Sequence, residues 1–218
     1  MSPDGPVQVL PYPGDGAARD RFEREGAGFV ETHEPRETCV VLGRMTPVTD
    51  VNAGACMADG VAVYRRAGGG GAVVLAPGML VITLCFPIKT LPDVSALTSD
   101  IAGVAASSLD ALALRRGAVA VQGLGDVCIS GRKVLGSSLY LRRRMGLYQA
   151  SLLVAESRDV ICRYLFHPSR EPEYRAGRPH SLFVTSLEEH GFPVDPGVIE
   201  SRLCAGFRDW LTQPADSH

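Results

Sequence analysis

The chain has 218 residues, enough for one substantial hydrophobic core, and we predict a single domain over residues 1–218. Hydrophobic residues make up 45% and charged residues 21% of the chain, and the net charge of -2 gives no reason to expect nucleic acid or an anionic membrane as a partner. The longest apolar run, residues 79–86, is too short to span a bilayer, and the N-terminus lacks a signal-peptide pattern. We therefore predict a cytoplasmic protein.

The hydrophobic pattern predicts helices at both ends of the chain and strands joined by tight turns in the middle. Such turns favour a mixed α/β (α+β) fold with a mainly antiparallel sheet and flanking helices. In chain order the predicted elements are an extended arm at 1–16, a helix at 17–29, a strand at 38–43, a helix at 50–59, a strand from 61 into a glycine loop, a strand at 80–86 that completes a hairpin, a helix at 95–117, strands at 118–122, 126–130, 133–135, 137–142 and 147–154, and helices at 156–166 and 194–211.

Capping and stop residues set the expected boundaries of two helices. Asp50 is the expected N-cap of the helix at 50–59, and Gly60 its stop. The helix at 95–117 has the clearest apolar periodicity; Ser95 or Ser99 is its expected N-cap and Gly117 its end.

Two arginines and four consecutive glycines stand together at residues 65–71. Because glycine has no Cβ atom, another molecule can lie directly on this backbone, and its N–H groups can converge on an anion. The alternative is a flexible hairpin tip with two solvated arginines. No Gly-Lys-Ser/Thr follows the glycines and the next segment is predicted as a strand, so neither a P-loop nor a dinucleotide fingerprint is supported.

A second pattern places Lys133 just after a tight turn predicted at Gly131-Arg132, with Gly136 three residues further on. A lysine held there opposite a glycine loop would act as a point charge on phosphate oxygens or on a polarised carboxyl group. The alternative is a lysine at a hairpin tip in solvent. Asp126, seven residues earlier, is either a metal ligand, a hydrogen-bond partner or an aspartate that stabilises a turn.

The six cysteines and five histidines show no spacing typical of a metal site or a redox pair, so we predict structural thiols and no metal ligands. A polar, proline-bearing stretch at 167–180 carries Arg175, Arg178 and His180. It is too basic and irregular for a core segment. We expect a loop that either carries function or serves as a solvated connector.

The first motif reads Arg-Arg-x-x-Gly-Gly-Gly-Ala-Val at 65–73, and the second reads Asp-x-x-x-x-Gly-Arg-Lys-x-x-Gly-Ser at 126–137. Their order, spacing and residue types together resemble the catalytic domain of the lipoate-protein ligase and octanoyltransferase family. The resemblance extends over residues 38–190 and includes Val-Leu-Gly-Arg at 41–44 and Val-Thr-Ser-Leu at 184–187.

The resemblance implies a domain similar to biotin-protein ligase that activates lipoate or octanoate with ATP, with Mg²⁺ accompanying the nucleotide. The acyl adenylate then passes its acyl group to a lysine of a lipoyl carrier protein. Lys133 would be the catalytic residue, holding the carbonyl and α-phosphate oxygens. The implied substrate and nucleotide contacts are Arg65, Arg66, Gly68, Gly69, Gly70, Gly71, Ala72, Val73, Asp126, Gly136 and Ser137.

Two further sites follow from this reading. The apolar acyl tail needs an apolar slot, for which Val73, Leu75 and Leu139 are candidates. Arg175, Arg178 and His180 would form a surface on which an acidic carrier docks.

Departures from the family pattern keep other functions open. Leu75-Ala76 stands where ligases have His-Asp, and residues 149–151 read Gln-Ala-Ser where His-Gly-Thr is usual. We expect no C-terminal accessory domain, so the ligase would either act alone or be completed by a separate chain. The alternatives are an acyltransferase that uses a cysteine thioester, with Cys128 or Cys162 as nucleophile, and a non-catalytic subunit that binds lipoyl domains.

Overall fold

Two packed sheets with flanking helices make up the computed structural model, which describes residues 7–90, 92–114, 116–155 and 157–213. The strands are β1 (Val9–Pro11), β2 (Phe29–His33), β3 (Cys39–Leu42), β4 (Ala62–Arg65), β5 (Val73–Leu75), β6 (Met79–Pro87), β7 (Val119–Gln122), β8 (Asp126–Ile129), β9 (Arg132–Arg142) and β10 (Met145–Leu153). The helices are α1 (Pro13–Glu25), α2 (Ala53–Asp59), α3 (Val94–Asp110), α4 (Arg158–Tyr164), α5 (His180–Phe183) and α6 (Pro196–Leu211). The predicted mixed fold with a mainly antiparallel sheet is confirmed.

The larger sheet has the order β2-β6-β10-β9-β8-β7 and is antiparallel throughout. The smaller sheet has the order β1-β4-β3-β5, in which β4 runs parallel to β1 and β3 while β5 is antiparallel to β3. The hairpin predicted around the glycine loop is therefore wrong. β4 and β5 lie on either side of β3, so the glycine loop that joins them crosses over β3. β6 belongs to the other sheet.

β6 lies in the middle of the molecule, and its first eight residues are all buried. Leu80, Ile82 and Leu84 pack in the main core with side chains of α3 and α6. On the opposite face Val81 packs against Val41 of the smaller sheet. With both faces covered, the strand is a continuous apolar run, and each large side chain fully buried in it stabilises the fold by about 1.5–3 kcal/mol.

Several helix boundaries differ from the sequence prediction because of their caps. Asp93, not Ser95 or Ser99, caps α3 through the N–H groups of residues 95 and 96. α3 ends at Asp110 rather than Gly117, since the Asp110 carboxylate accepts the N–H of Gly117 and holds the chain in a turn. Asn52 caps α2 in place of Asp50, and Gly60 ends it as predicted.

The N-terminal region also differs from its prediction. Residues 1–6 of the predicted arm lie outside the described residues, and 7–16 contain β1 and the start of α1. α1 begins at Pro13, whose fixed φ suits the first turn of a helix, and Gly26 ends it in a left-handed conformation. Residues 29–33 are therefore free to form β2 at the edge of the larger sheet. Among the described helices, none combines the length and apolar character needed to cross a membrane.

The turn before Lys133 is made by Ser130 and Gly131, both with positive φ (51° and 71°), rather than by Gly131 and Arg132. Two such residues form the type of tight turn that matches the twist of a hairpin. Beyond it, the strands predicted at 133–135 and 137–142 are one strand, β9. The next hairpin turns at residues 143–144, between the strands predicted at 137–142 and 147–154, and β10 begins at Met145 rather than at residue 147.

Gly43, just after β3, provides a test of how the glycine loop is anchored. A Cβ at this position would lie 1.9 Å from the carbonyl oxygen of Gly70, which also accepts a hydrogen bond from Thr46 Oγ1. Gly43→Ala should therefore lower the free energy of unfolding by about 1–3 kcal/mol, measured by urea titration. Gly69→Ala is the matched control, because a Cβ there meets no atom within 4 Å. Equal midpoints for the two variants would contradict this account.

Candidate active site

A cavity lies between the two sheets, with β3 and β5 on one side, β6, β9 and β10 on the other, and residues 165–184 across one end. Its apolar lining includes Val41, Val73, Val74, Leu75, Met79, Val81, Leu153, Ile161, Leu165, Phe166, Phe183 and Val184. Its acidic, basic and histidine side chains are Asp50, Arg66, Lys133, Arg170, Arg175 and His180. Cationic groups predominate among these described lining residues. The cavity therefore suits an anion attached to an apolar group.

Lys133 reaches this cavity from the start of β9 and forms an ion pair with Asp126, with Nζ 2.7 Å from Oδ1. The two side chains are only 24% and 17% exposed, so solvent screens the pair less than a surface ion pair. Gly136 makes room for it, because a Cβ at that position would lie 2.5 Å from Lys133 Cε and 2.6 Å from Nζ. The spacing Lys-x-x-Gly thus has a direct steric reason.

A tyrosine that the sequence analysis missed completes this pair. Tyr174 donates a hydrogen bond from its hydroxyl to Asp126 Oδ2 (2.7 Å), while Oδ1 faces Lys133. Burial and the neighbouring carboxylate raise the pKa of Tyr174, so the hydroxyl stays protonated and remains a donor. Both carboxylate oxygens are thereby held in place, which fixes the position of the lysine.

The glycine loop is held by its carbonyl groups. The Arg44 N–H donates to Gly68 O (2.9 Å), and the guanidinium of Arg66 donates to the carbonyl oxygens of Gly69 (2.6 Å) and Gly71 (3.0 Å). Burial lowers the pKa of Arg66 to about 10, which still leaves the side chain charged at neutral pH. Arg66 therefore lines the cavity, but most of its donors organise the loop instead of facing a ligand.

Arg65 lies away from the cavity, contrary to its predicted role as a ligand for an anion. Its Nη1 atom contacts the carbonyl oxygens of Gly43, Arg44 and Thr46 at 2.8–3.1 Å. It ties β4 to the segment after β3. The alternating direction of side chains along a strand explains the outcome, since Arg65 and Arg66 leave the strand on opposite sides.

The structure brings most of the sequence-predicted residues to one place. Those that line the cavity are Arg66, Gly71, Ala72, Val73, Lys133, Gly136, Ser137, Arg175 and His180. Those that do not line it are Arg65, Gly68, Gly69, Gly70, Asp126 and Arg178, although Asp126 contacts Lys133. Val73 and Leu75 belong to the apolar lining as expected, whereas Leu139 packs against the main core.

Residues 166–180, here called the strap, cross the end of the cavity. Asp50 Oδ2 accepts hydrogen bonds from the N–H and the hydroxyl of Ser169, both at 3.1 Å. At the other end of the strap, His180 Nε2 lies 3.0 Å from Phe166 O. Asp50 therefore anchors the strap, a role that its position before α2 did not indicate.

The docking surface predicted on this stretch is wrong for Arg175, which is 3% exposed and lines the cavity. Arg178 is half-buried and donates to the carbonyl oxygens of Gly131, Tyr174 and Arg175. Proline and charge content suggested a solvated loop. Long-range packing on β8 and β9 overrides that local pattern.

Two further polar residues of the lining, Tyr12 and Gln149, were also absent from the predicted contacts. Gln149 lies on β10 opposite Ser138, and its side chain is buried on the face of the larger sheet that meets the smaller one. A glutamine in a strand of mostly apolar residues was the available signal for Gln149. Tyr12 stands in a proline-rich segment and gave none.

No cysteine belongs to the described lining of the cavity. Cys128 is buried, its Sγ lies 3.7 Å from Tyr174 OH, and burial raises the pKa of its thiol. Cys162 is exposed on α4. Within the described part of the chain, no three His, Cys, Asp or Glu side chains gather in a way that could hold a metal ion.

Comparison with known proteins identifies a family model and several solved structures that are similar to this chain. A family model, the lipoyl protein ligase A/B catalytic domain, matches residues 27–208. Comparison with curated proteins finds no match. Similar solved structures include one of a bi-partite archaeal lipoate protein ligase and its E2 lipoyl domain from Thermoplasma acidophilum (TM-score 0.74, 19% identity, 94% of this chain and 82% of that chain). Others are lipoate-protein ligase A bound with ATP (0.72, 19%, 95% and 86%) and P. falciparum LipL1 in complex with lipoate (0.68, 16%, 94% and 62%).

The two-sheet fold is that of a lipoate-ligase catalytic domain. Since the family model extends over most of the chain, the chain belongs to the lipoyl protein ligase A/B catalytic domain family.

His180 provides a pH-dependent test of the strap. Burial lowers the pKa of His180, and the positive charges of Arg175, His167 and Lys133 lower it further, against the opposing effect of its bond to Phe166. A histidine whose pKa is depressed by folding contributes stability above its unfolded pKa of about 6.5, and that contribution is lost as the pH falls through the folded pKa. The free energy of unfolding should therefore decrease between pH 7.5 and pH 5.5, and decrease less in His180→Gln.

The matched control for this measurement is His33→Gln, at an exposed position on β2. This variant should keep the wild-type pH dependence. A His180→Gln protein with an unchanged slope would contradict the assignment.

Proposed function

We propose that this protein is an ATP-dependent ligase that attaches lipoate or octanoate to a lysine of a lipoyl carrier protein. The observation that carries the proposal is the Lys133–Asp126 pair at the edge of an apolar cavity rich in cationic groups. Membership of the lipoyl protein ligase family supports it, and structural relatives with bound ATP and bound lipoate are consistent with it.

In the first step the acyl tail lies among the apolar residues of β3, β5 and β6, which places the carboxylate near Lys133. A carboxylate oxygen attacks the α-phosphorus of ATP, the bond to the bridging oxygen breaks, and pyrophosphate leaves with that electron pair. Negative charge grows on the phosphoryl oxygens in the transition state, and the Lys133 ammonium stabilises it. Mg²⁺ would enter with the nucleotide.

In the second step the neutral amine of a carrier lysine attacks the carbonyl carbon of the acyl adenylate, and the bond from that carbon to the phosphate oxygen breaks. AMP leaves with the electron pair, and the nitrogen releases one proton to solvent as the amide forms. Lys133 again faces the oxygen on which charge develops. The strap limits the access of water, which would otherwise hydrolyse the mixed anhydride. We also propose that the carrier approaches across the strap near Arg178 and His180, in the cytoplasm.

A cysteine-dependent acyltransferase has less support. That reaction needs a thiolate beside the acyl group, and the described cavity lining contains no cysteine. Cys128, the nearest in sequence to Lys133, is buried, and its thiol is held in the neutral form at pH 7 by its raised pKa.

The test is the intact mass of an apo lipoyl carrier incubated with this protein and either acid, with and without ATP and Mg²⁺. We expect a mass increase that requires ATP. Lys133→Ala should slow it by about 100-fold or more, because a charge that stabilises the transition state is lost. Transfer from an octanoylated carrier without ATP would instead identify a transferase. Absence of reaction in every arm, even with the accessory chain of a bi-partite relative added, would contradict the proposal.

Gly136→Ala tests the geometry without removing the lysine. The added Cβ would collide with Lys133 Cε and displace the ammonium from Asp126. The carrier acylation rate should fall by about tenfold or more, while the fold persists because the colliding atoms end a flexible side chain. Gly103→Ala in α3, where a Cβ meets no atom within 4 Å, should leave the rate unchanged. A fully active Gly136→Ala protein would show that Lys133 needs no fixed position.

A further inference from the structure

Arg175 is a buried cation in the middle of the strap. Its side chain is 4% exposed, and its guanidinium stacks on the ring of Phe183 with Cζ 4.6 Å from the ring centre. Nε donates to Arg178 O (2.8 Å) and lies 3.3 Å from a carboxylate oxygen of Glu171. These contacts fix the plane of the guanidinium from one side.

On its other side, the guanidinium lacks a hydrogen-bond acceptor for one of its nitrogen atoms. Arg175 lines the cavity, and its Nη2 atom has no hydrogen-bond partner among the described residues. An unpaired N–H group on a buried cation is costly, so such groups normally have an acceptor. A ligand that enters the cavity would supply the missing acceptor.

The charges around Arg175 indicate what kind of acceptor this is. Lys133 and His180 line the same cavity, and Arg175 and Lys133 both act on His180 electrostatically. Glu171 and Asp126 pair with Arg175 and Lys133, but the described lining adds the cations Arg66 and Arg170 against a single carboxylate, that of Asp50, so the cavity favours an anionic ligand. A guanidinium matches the geometry of phosphate oxygens through its fork of donors.

We propose that Arg175 binds a phosphate oxygen of the nucleotide. The inference rests on the proposed function, and it gives Arg175 a role inside the site instead of on a docking surface. Because Arg175 belongs to the strap, a phosphate bound by Arg175 contacts the strap directly. Its unpaired Nη2 is then satisfied only when nucleotide is bound.

The experiment compares AMP with adenosine, which differ only in the phosphate, by calorimetric titration of the full chain at fixed salt. The wild type should bind AMP at least tenfold more tightly than adenosine. Arg175→Gln should reduce that ratio to about twofold or less while leaving the affinity for adenosine within twofold. An unchanged ratio would overturn the proposal, as would a wild type that does not distinguish the two ligands.

Two variants separate phosphate binding from support of the strap. Glu171→Gln removes the ion pair of Arg175 but keeps the guanidinium, and it should retain the wild-type ratio. Arg175→Lys keeps the positive charge but lacks the paired N–H donors of a guanidinium, so it should give an intermediate ratio of AMP to adenosine affinity. Equal losses for AMP and adenosine in Arg175→Gln, or a Glu171→Gln protein with the same lost ratio, would show a structural role and overturn the proposal. Arg202→Gln, an exposed position on α6, is the control.

The ligase assay distinguishes this inference from the proposed function. ATP-dependent acylation of the carrier with an unchanged AMP-to-adenosine ratio in Arg175→Gln would leave the function standing and overturn the inference. A phosphate preference that depends on Arg175, without any acylation, would support the site and contradict the ligase reaction.

Discussion

The site depends on one ion pair that is held at three points. Lys133 faces Asp126, Asp126 accepts from Tyr174, and the absence of a side chain at Gly136 lets the lysine lie flat along its own strand. A lysine ammonium on a flexible stem would otherwise sample many rotamers, and ordering such a side chain costs on the order of 1.5–2 kcal/mol. In this structure the cost is offset during folding, before any substrate binds.

The glycine loop follows a different principle. Its conformation is set from behind by a buried arginine and by Thr46, which occupy the carbonyl groups of residues 69–71. Removing the Arg66 guanidinium would leave the carbonyl groups of Gly69 and Gly71 without this part-buried donor. The arginine-glycine motif therefore shapes the backbone at its first glycines, while Gly71, Ala72 and Val73 at its end line the cavity.

Local signals in the sequence were sufficient for β6, β7, β8 and β10 of the larger sheet, for α6 and for the two motifs that meet at the cavity, but they missed β2 and divided β9 into two strands. They were insufficient where distant segments pair. β4 and β5 lie on opposite sides of β3, and no turn signal near the glycines indicates that a strand already in place will separate them. Arg175 shows the same limit, because the charge of the strap predicted exposure while its packing on Phe183 and Glu171 produces burial.

The walls of the cavity come from two sheets, whereas the Lys133–Asp126 pair lies within one hairpin of the larger sheet. A partly folded chain that kept only the larger sheet would preserve the pair but have no cavity. Anything bound in the cavity contacts both sheets and so favours the docked state over every state in which they separate. Binding in the cavity and packing of the two sheets against each other are thus thermodynamically linked, so a bound ligand stabilises the folded state in the same way as a core side chain that contacts both sheets.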